Sequence, residues 1–195
     1  CIRILRSEIE NIGFGKDFTI YDSSDSQRLI KNVIAELDVS EKQFVPKSVL
    51  GEISFAKDKM ISPEMLLDEA GVDYRKKVIA RIYKVYMERL RAANALDFDD
   101  ILCKTVELFE AFPDILEKYR NRYKYIMVDE YQDTNHVQFR LVSLLSAGHK
   151  NLCVVGDDDQ SIYRFRGANI ENILGFEEQF EGAVVIRLEQ NYRST

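Results

Sequence analysis

Two adjacent carboxylates, Asp129 and Glu130, are the residues whose types and spacing point most directly to chemistry in this 195-residue chain. They follow a short apolar run at residues 125–128, and a third acid, Asp133, lies close behind. An apolar run of this length that ends in polar residues predicts a buried parallel strand. Ligand sites in open α/β sheets lie just past the carboxyl ends of such strands. One carboxylate can then face a metal ion and the other a reacting water, with a solvated acidic turn as the alternative.

Two further apolar runs, at residues 152–155 and 184–188, place the acidic pair in a predicted parallel sheet. Helical patterns lie between the three runs, at residues 137–145 and 170–180. Strand, helix, strand, helix, strand is the order of a parallel sheet with right-handed crossovers, so the predicted fold class of this half is α/β. Cys153, in the second run, is predicted to be a small core residue.

Polar residues follow each run and are expected to meet, because the carboxyl ends of parallel strands share one edge of the sheet. They are Asp129, Glu130 and Gln132 after the first run, Gln160 after the second and Arg193 after the third. Such a mixture suits a site for a metal–phosphate ligand. In that site Asp129 can hold Mg²⁺, directly or through water, and Glu130 can deprotonate an attacking water. Gln160 can contact a terminal phosphate, and Arg193 can neutralise the charge that develops in phosphoryl transfer.

Aromatic residues suggest a second role for the segment after the second run. Tyr163 and Phe165 alternate with Arg164 and Arg166, as stacking platforms for nucleic-acid bases alternate with cations. The alternative is that Phe165 packs under the sheet. The net charge of −6 argues against a globally basic nucleic-acid binder but leaves a local DNA path open.

The first 120 residues have an almost wholly helical pattern. Helix starts are predicted at residues 22–25, at Pro46 and at residues 62–63, where capping oxygens or proline suit the first turn. The clearest helix, residues 73–95, has an apolar stripe on one face and basic residues on the other. That basic face is interpreted as solvated, with phosphate contact as the less favoured alternative. A further apolar stripe stops near Pro113.

The composition and the first residues of the chain limit its class and cellular location. No apolar run approaches the roughly 20 residues that span a bilayer. Three cysteines without metal-ligand spacing predict free thiols in a reducing cytoplasm. Because the chain begins Cys-Ile-Arg, with neither an initiator methionine nor a signal-peptide pattern, it is interpreted as a piece of a longer protein.

Three long motifs resemble those of one protein family. Residues 126–135, Ile-Met-Val-Asp-Glu-Tyr-Gln-Asp-Thr-Asn, resemble the Walker B motif (motif II) of the UvrD/PcrA/Rep group of superfamily 1 DNA helicases. Residues 155–168 resemble motif III of that group and residues 188–195 resemble motif IV. Residues 96–102 are similar to a further family signature, and residues 1–6 to the segment after motif Ib. The resemblance covers essentially the whole chain, and the order and spacing of the motifs make it specific.

The resemblance implies an internal fragment of an ATP-dependent 3′–5′ DNA helicase of repair or replication. Residues 1–95 would be a mostly helical inserted subdomain near duplex DNA. Residues 96–195 would be the C-terminal part of the first RecA-like domain, which has the P-loop NTPase fold.

The resemblance also assigns the nucleotide side of the site. Asp129 would hold Mg²⁺, and Glu130 would be the catalytic base for ATP hydrolysis. Gln132 and Gln160 would sense the γ-phosphate and couple it to the DNA site.

The remaining assignments concern the adenine, the arginine finger and DNA. Tyr192 would stack on the adenine and Arg193 would reach the γ-phosphate. Tyr163 and Phe165 would stack on bases of single-stranded DNA, while Arg166 would link the DNA and nucleotide sides. Many relatives have tryptophan where this chain has Phe165, so a weaker stacking platform is expected.

The implied ligands are ATP, Mg²⁺, single-stranded DNA and single-strand/duplex junctions, in a cytoplasmic, nucleoid-associated protein. The chain lacks the Gly-x-x-x-x-Gly-Lys-Ser/Thr loop that cradles phosphates. In this family that loop lies upstream and a second RecA-like domain lies downstream. Both are therefore expected elsewhere in the same polypeptide, and the isolated chain is expected to be nearly inactive.

Three alternatives to a helicase fragment stay open. A DNA translocase or the motor of a helicase–nuclease would share the motifs, and sequence beyond residue 195 would distinguish it. A non-catalytic single-stranded DNA-binding piece is the second, which oligonucleotide titration would test. A metal-dependent nuclease built on residues 157–159 is least favoured, because no matching histidine or lysine accompanies these acids.

Overall fold

The computed structural model describes residues 1–157, 171–180 and 182–188, and helices dominate this part of the chain. The helices are α1 (Ile2–Glu8), α2 (Ser23–Glu36), α3 (Pro46–Asp58), α4 (Pro63–Glu69), α5 (Tyr74–Ala92), α6 (Phe98–Ala111), α7 (Pro113–Arg122), α8 (His136–Ser146), α9 (Glu171–Leu174) and α10 (Phe176–Gln179). The strands are β1 (Thr19–Ile20), β2 (Ala95–Leu96), β3 (Ile126–Val128) and β4 (Leu152–Val154), and single 3₁₀ turns lie at Ile9–Ile12 and Tyr131–Asp133. None of the helices described is long and apolar enough to cross a membrane.

The predicted helix starts are confirmed, and side-chain caps explain them. Asp22 accepts hydrogen bonds from the backbone N–H groups of Ser24 and Asp25, which satisfies donors that the first turn of α2 cannot pair internally. Pro46 and Pro63 occupy the first positions of α3 and α4, where proline loses no helical hydrogen bond.

The long helix α5 is also confirmed, but its predicted end is three residues too late. The helix stops at Ala92, and Asn94 adopts a left-handed conformation with φ of 45°. The next residues form β2, which pairs in parallel with β1. Residues 18–21 are predicted from sequence to be a short extended piece and contain β1, whereas β2 is too short to carry a periodicity of its own.

Two clusters of buried apolar side chains form the core. The first joins α2, α3 and α5 and includes Ile30, Ile34, Val49, Ile53, Ile82 and Tyr86. The second joins α1 to α6 and α7 and includes Leu5, Ile9, Phe18, Leu108, Phe109 and Tyr119. The segment at residues 1–18 therefore packs mainly with residues after 95.

A buried charge cluster connects these two cores. The Nζ atom of Lys57 in α3 lies 2.7 Å from an oxygen of Asp97 and 2.8 Å from an oxygen of Asp100, at the start of α6. The Tyr86 hydroxyl of α5 donates to the same Asp97 oxygen at 2.8 Å. Burial alone would lower the pKa of Lys57, but Asp100 and Asp97 outweigh it and hold that pKa well above the usual lysine value. The lysine therefore stays charged inside the protein.

Strands β3 and β4 confirm the predicted parallel sheet. Ile126 pairs with Leu152, Met127 with Cys153 and Val128 with Val154, and α8 connects the two strands. The helical pattern near residues 170–180 is confirmed as α9 and α10, which are separated at Gly175.

Two predictions about this sheet are wrong for the described residues. Residues 184–188 form no strand, and Val184 and Leu188 are 85% and 88% exposed. Cys153 and its partner Met127 are exposed as well, so neither is a core residue here. An apolar run indicates only that burial would be favourable. A strand also needs a neighbouring strand to pair with its backbone N–H and C=O groups, and its side chains are buried only if another element packs over them. No described element covers this face of the sheet.

Candidate functional site

The acidic turn, residues 129–133, starts where β3 ends. The turn changes chain direction at Glu130, which adopts the left-handed conformation with φ of 50° and ψ of 43°. The Glu130 backbone N–H donates to Oδ1 of Asp129 at 2.9 Å, which supports this conformation. For a residue other than glycine it costs about 1–2 kcal/mol. Asp38, Met60, Asn94 and Lys150 are also left-handed among the described residues, so this conformation shapes the turn but does not by itself mark a functional site.

Gln132 fixes the Glu130 side chain and joins the ends of the two strands. The side chain of Gln132 is buried, and its Nε2 donates to Oε2 of Glu130 at 2.9 Å. Its Oε1 accepts the backbone N–H of Asp157, just after β4, at 3.0 Å. Polar residues from two strand ends therefore meet at one edge of the sheet, as parallel pairing predicts.

Tyr131 anchors the acidic turn in the interior. Its backbone N–H donates to the carbonyl of Val155 at 2.9 Å, and its buried ring makes an edge-on contact with Phe176 at 5.6 Å between centroids. Burial raises the pKa of the Tyr131 hydroxyl to about 12, so the group stays protonated. Neither this hydroxyl nor Oδ1 of Asp133 has a hydrogen-bond partner among the described residues.

The end of the acidic turn is held by α9. The Thr134 hydroxyl donates to the carbonyl of Tyr131 at 2.7 Å. Nδ2 of Asn172 donates to both the carbonyl and the hydroxyl oxygen of Thr134, at 3.1 Å each. The turn therefore has fixed points on both sides of Glu130.

Asp129 fits the requirements of a magnesium ligand. Its carboxylate is exposed, and among the described residues it makes one hydrogen bond, from the Glu130 N–H to Oδ1. Within this part of the chain no group of three or more histidine, cysteine or acidic side chains is arranged to hold a metal. Mg²⁺ typically takes one or two protein carboxylates and keeps several waters, so a single exposed aspartate suits it better than a closed cage would.

The structure brings together three of the predicted site residues, namely Asp129, Glu130 and Gln132. The other six lie outside the described residues: Gln160, Tyr163, Phe165, Arg166, Tyr192 and Arg193. Their roles stay predictions.

Sequence reasoning missed the residues that support the turn. Asn135 caps α8, because its Oδ1 accepts the backbone N–H of Gln138 at 2.9 Å, and its Nδ2 donates to Oδ1 of Asp58 at 2.7 Å. An asparagine three positions before a glutamine is a visible capping signal. Asp58, 77 positions away in the chain, gives no such signal.

Gly156 leaves room for the Gln132 side chain, which lies against it. A Cβ atom there would come within 2.6 Å of Oε1 of Gln132 and 2.7 Å of Cδ1 of Ile173. We expect Gly156→Ala to lower the free energy of unfolding by about 1–3 kcal/mol, because the Gln132 and Ile173 side chains would have to shift. Denaturant unfolding measures this difference.

Gly51→Ala is the matched control for that substitution. Gly51 lies inside α3, and a Cβ atom there would meet nothing within 4 Å. Alanine should stabilise the helix by about 0.5–1 kcal/mol. Equal effects of the two substitutions would contradict the assigned role of Gly156.

The sequence is similar to that of known DNA helicases along its whole length. The family model of the UvrD/REP helicase N-terminal domain matches residues 1–181. The ATP-dependent DNA helicase PcrA of Staphylococcus epidermidis is 49% identical over all 195 residues, and that of Bacillus subtilis is 48% identical. The match covers 27% and 26% of those two proteins, so the chain spans about a quarter of their length. The chain therefore belongs to the UvrD/REP helicase family, within the N-terminal domain that the family model describes.

Proposed function

We propose that the full-length protein carrying this chain is an ATP-dependent DNA helicase. It would couple ATP hydrolysis to 3′–5′ translocation on single-stranded DNA and to duplex unwinding. The observation that carries this proposal is the acidic turn, in which Gln132 holds the Glu130 carboxylate beside Asp129 at the ends of two parallel strands. The names of the PcrA relatives supply ATP and DNA as the ligands.

The proposed architecture is that of a P-loop NTPase with a helical insertion. Residues 96–195 would form the C-terminal part of the first RecA-like domain, and residues 1–95 the inserted subdomain. The parallel pairing of β3 and β4 across α8 supports the first assignment. The helices between residues 23 and 92 support the second for that range, whereas residues 1–18 pack mainly with residues after 95.

Glu130 is the proposed base that activates the attacking water. Its Oε2 accepts the Gln132 N–H, which fixes the direction of the carboxylate. A base held in one geometry avoids reorganisation during the reaction. Asp129 is the proposed magnesium ligand, and the bound ion would neutralise charge on the phosphates.

Gln132 is the proposed sensor of the γ-phosphate. Both ends of its amide are bonded within the protein, to Glu130 and to the Asp157 N–H. A contact with phosphate therefore requires one of these bonds to be exchanged. We propose that this exchange couples the nucleotide state to the segment after β4, where Gln160 would make a second phosphate contact.

The remaining proposed roles complete the site. Tyr192 stacks on the adenine, and Arg193 neutralises charge at the γ-phosphate. Tyr163 and Phe165 stack on bases of single-stranded DNA, and Arg166 connects the DNA and nucleotide sides. These side chains combine cations with planar rings, which is the chemistry that both ligands require.

The test is DNA-stimulated ATP hydrolysis and unwinding by the full-length protein. We expect single-stranded DNA to raise the rate of hydrolysis, and duplexes with 3′ tails to unwind faster than those with 5′ tails. The isolated 195-residue chain should turn over little ATP, because it lacks the phosphate-binding loop. Hydrolysis without unwinding would instead identify a translocase, and comparable turnover by the isolated chain would contradict the proposed division of the site.

A further inference from the structure

The C-terminal turn of α3 bonds to two separate parts of the protein through neighbouring side chains. Lys57 turns inward to Asp97 and Asp100 at the start of α6. Asp58 instead accepts a hydrogen bond from Nδ2 of Asn135 at 2.7 Å. The buried ion pairs of Lys57 hold the end of α3 in place. Because Asp58 is the next residue, its position relative to Asn135 is fixed as well.

Asn135 uses both ends of its amide. Its oxygen accepts the Gln138 N–H at the start of α8, and its nitrogen donates to the Asp58 carboxylate. One orientation of the amide satisfies both bonds, since a backbone N–H has to meet oxygen and a carboxylate has to meet N–H. An aspartate at position 135 could cap the helix but could not donate to Asp58.

Asn135 directly follows the segment that holds Glu130 in place. Thr134 is bonded to Tyr131 within the acidic turn and to Asn172 of α9. The Asp58–Asn135 bond adds a third restraint, from α3, at the point where the turn leads into α8. A displacement of Asn135 would therefore be transmitted to the turn through the adjoining backbone.

The ionised Asp58 carboxylate lowers the stability of the folded protein. Burial, and then the charge of the nearby Asp99, raise the pKa of the Asp58 carboxyl to about 6. Its folded-state pKa is thus above the ordinary value of 3.8, so the folded state loses stability as pH rises through the window from about 4 to about 6. A neutral asparagine would accept the same hydrogen bond without this loss.

We therefore expect Asp58→Asn to raise the free energy of unfolding above pH 6 and to have little effect at pH 4. The carboxylate is partly exposed, so solvent screening keeps this gain small. Denaturant unfolding at pH 4 and pH 8 measures it. A gain of the same size at both pH values would show that the Asp58 charge is not its source.

We propose that Asp58 is a positioning residue for ATP hydrolysis, which holds the acidic turn in its productive geometry by accepting the Asn135 side-chain N–H. This inference rests on the proposed function. The helical region then contributes a side chain to the support of the hydrolysis site, in addition to packing against it.

The experiment exchanges donor and acceptor in the full-length protein. Asp58→Ala removes the acceptor, and Asn135→Asp removes the donor but keeps a capping oxygen for α8. The double variant Asp58→Asn with Asn135→Asp restores one donor and one acceptor with their positions reversed. The measurements are kcat and KM for ATP with saturating single-stranded DNA, and Tm. Asp68→Ala, at an exposed position in α4, is the control for loss of an aspartate.

We expect each single variant to lower kcat about tenfold with KM for ATP nearly unchanged, because a small misplacement of a catalytic group is costly. Tm should stay nearly unchanged in Asp58→Ala, whereas Asn135→Asp should also lower Tm because it brings two carboxylates together. The double variant should recover kcat to within about twofold of the parent. A purely structural role would lower Tm in step with kcat, and the exchange would bring no recovery. If Asn135→Asp does not fold, the contrast between Asp58→Ala and Asp58→Asn decides, since asparagine keeps the acceptor.

Two results would overturn the inference in different ways. An active parent whose Asp58→Ala and Asn135→Asp variants hydrolyse ATP at the parent rate would exclude the positioning role alone. A parent without DNA-stimulated hydrolysis would overturn the proposed function and the inference with it.

Discussion

Glu130→Gln is expected to abolish ATP turnover in the full-length protein while ATP binding is largely kept. Glutamine has the shape of glutamate, and its side-chain oxygen can still accept the Gln132 N–H that Glu130 accepts at 2.9 Å. It cannot take a proton from water, so the proposed base is lost and the geometry stays. General bases contribute about 10²–10⁴-fold in rate, and we expect a loss in kcat of that size.

Steady-state hydrolysis and binding of a fluorescent nucleotide analogue measure the two halves of this prediction. Glu177→Gln, at an exposed position in α10, controls for loss of one negative charge. A Glu130→Gln protein that hydrolyses ATP at the parent rate would show that another residue is the base. A protein that no longer binds nucleotide would show that Glu130 acts in binding.

Lys57→Met is expected to have the largest effect on stability, a loss of about 3–5 kcal/mol in the free energy of unfolding. Methionine fills a similar volume, but it leaves the carboxylates of Asp97 and Asp100 buried without their cation. Removing one partner of a buried ion pair costs this much because the remaining charge has lost its water as well as its partner.

Lys59→Met is the matched control, since Lys59 is exposed and directly follows α3. Its expected effect is within about 0.5 kcal/mol. Adding Asp97→Asn and Asp100→Asn to Lys57→Met should recover much of the loss, because the uncompensated charges are then gone. Urea unfolding of the four proteins measures these differences. A loss below about 1 kcal/mol for Lys57→Met would mean that water enters the cluster.

Local sequence signals predicted most helices and both strands of the β3–β4 sheet. Asp22, Pro46 and Pro63 act on backbone groups a few residues away, so their effect needs no tertiary partner. The acidic turn was predictable for a related reason. A short apolar run that ends in adjacent acids places them at a strand end in any parallel sheet.

Burial was the least predictable property. Residues 184–186 are as apolar as β4 but form no strand among the described residues, and Met127 and Cys153 are exposed on the sheet. The apolar character of a segment indicates how much free energy its burial would contribute. Whether another element covers it depends on residues that are distant in the chain.

The sequence by itself determined the chemical groups at the site and their family. Asp129, Glu130 and Gln132 lie within four positions of one another, so a strand end and one turn bring them together. The orientation of the Glu130 carboxylate depends on the tertiary structure, because Gln132 bonds both to it and to the Asp157 N–H. The tertiary structure also determines which residues hold the acidic turn in place. Asp58 and Asn135 are 77 positions apart. A hydrogen bond between such residues exists only once α3, α6 and α8 have packed, and no local pattern in the chain records it.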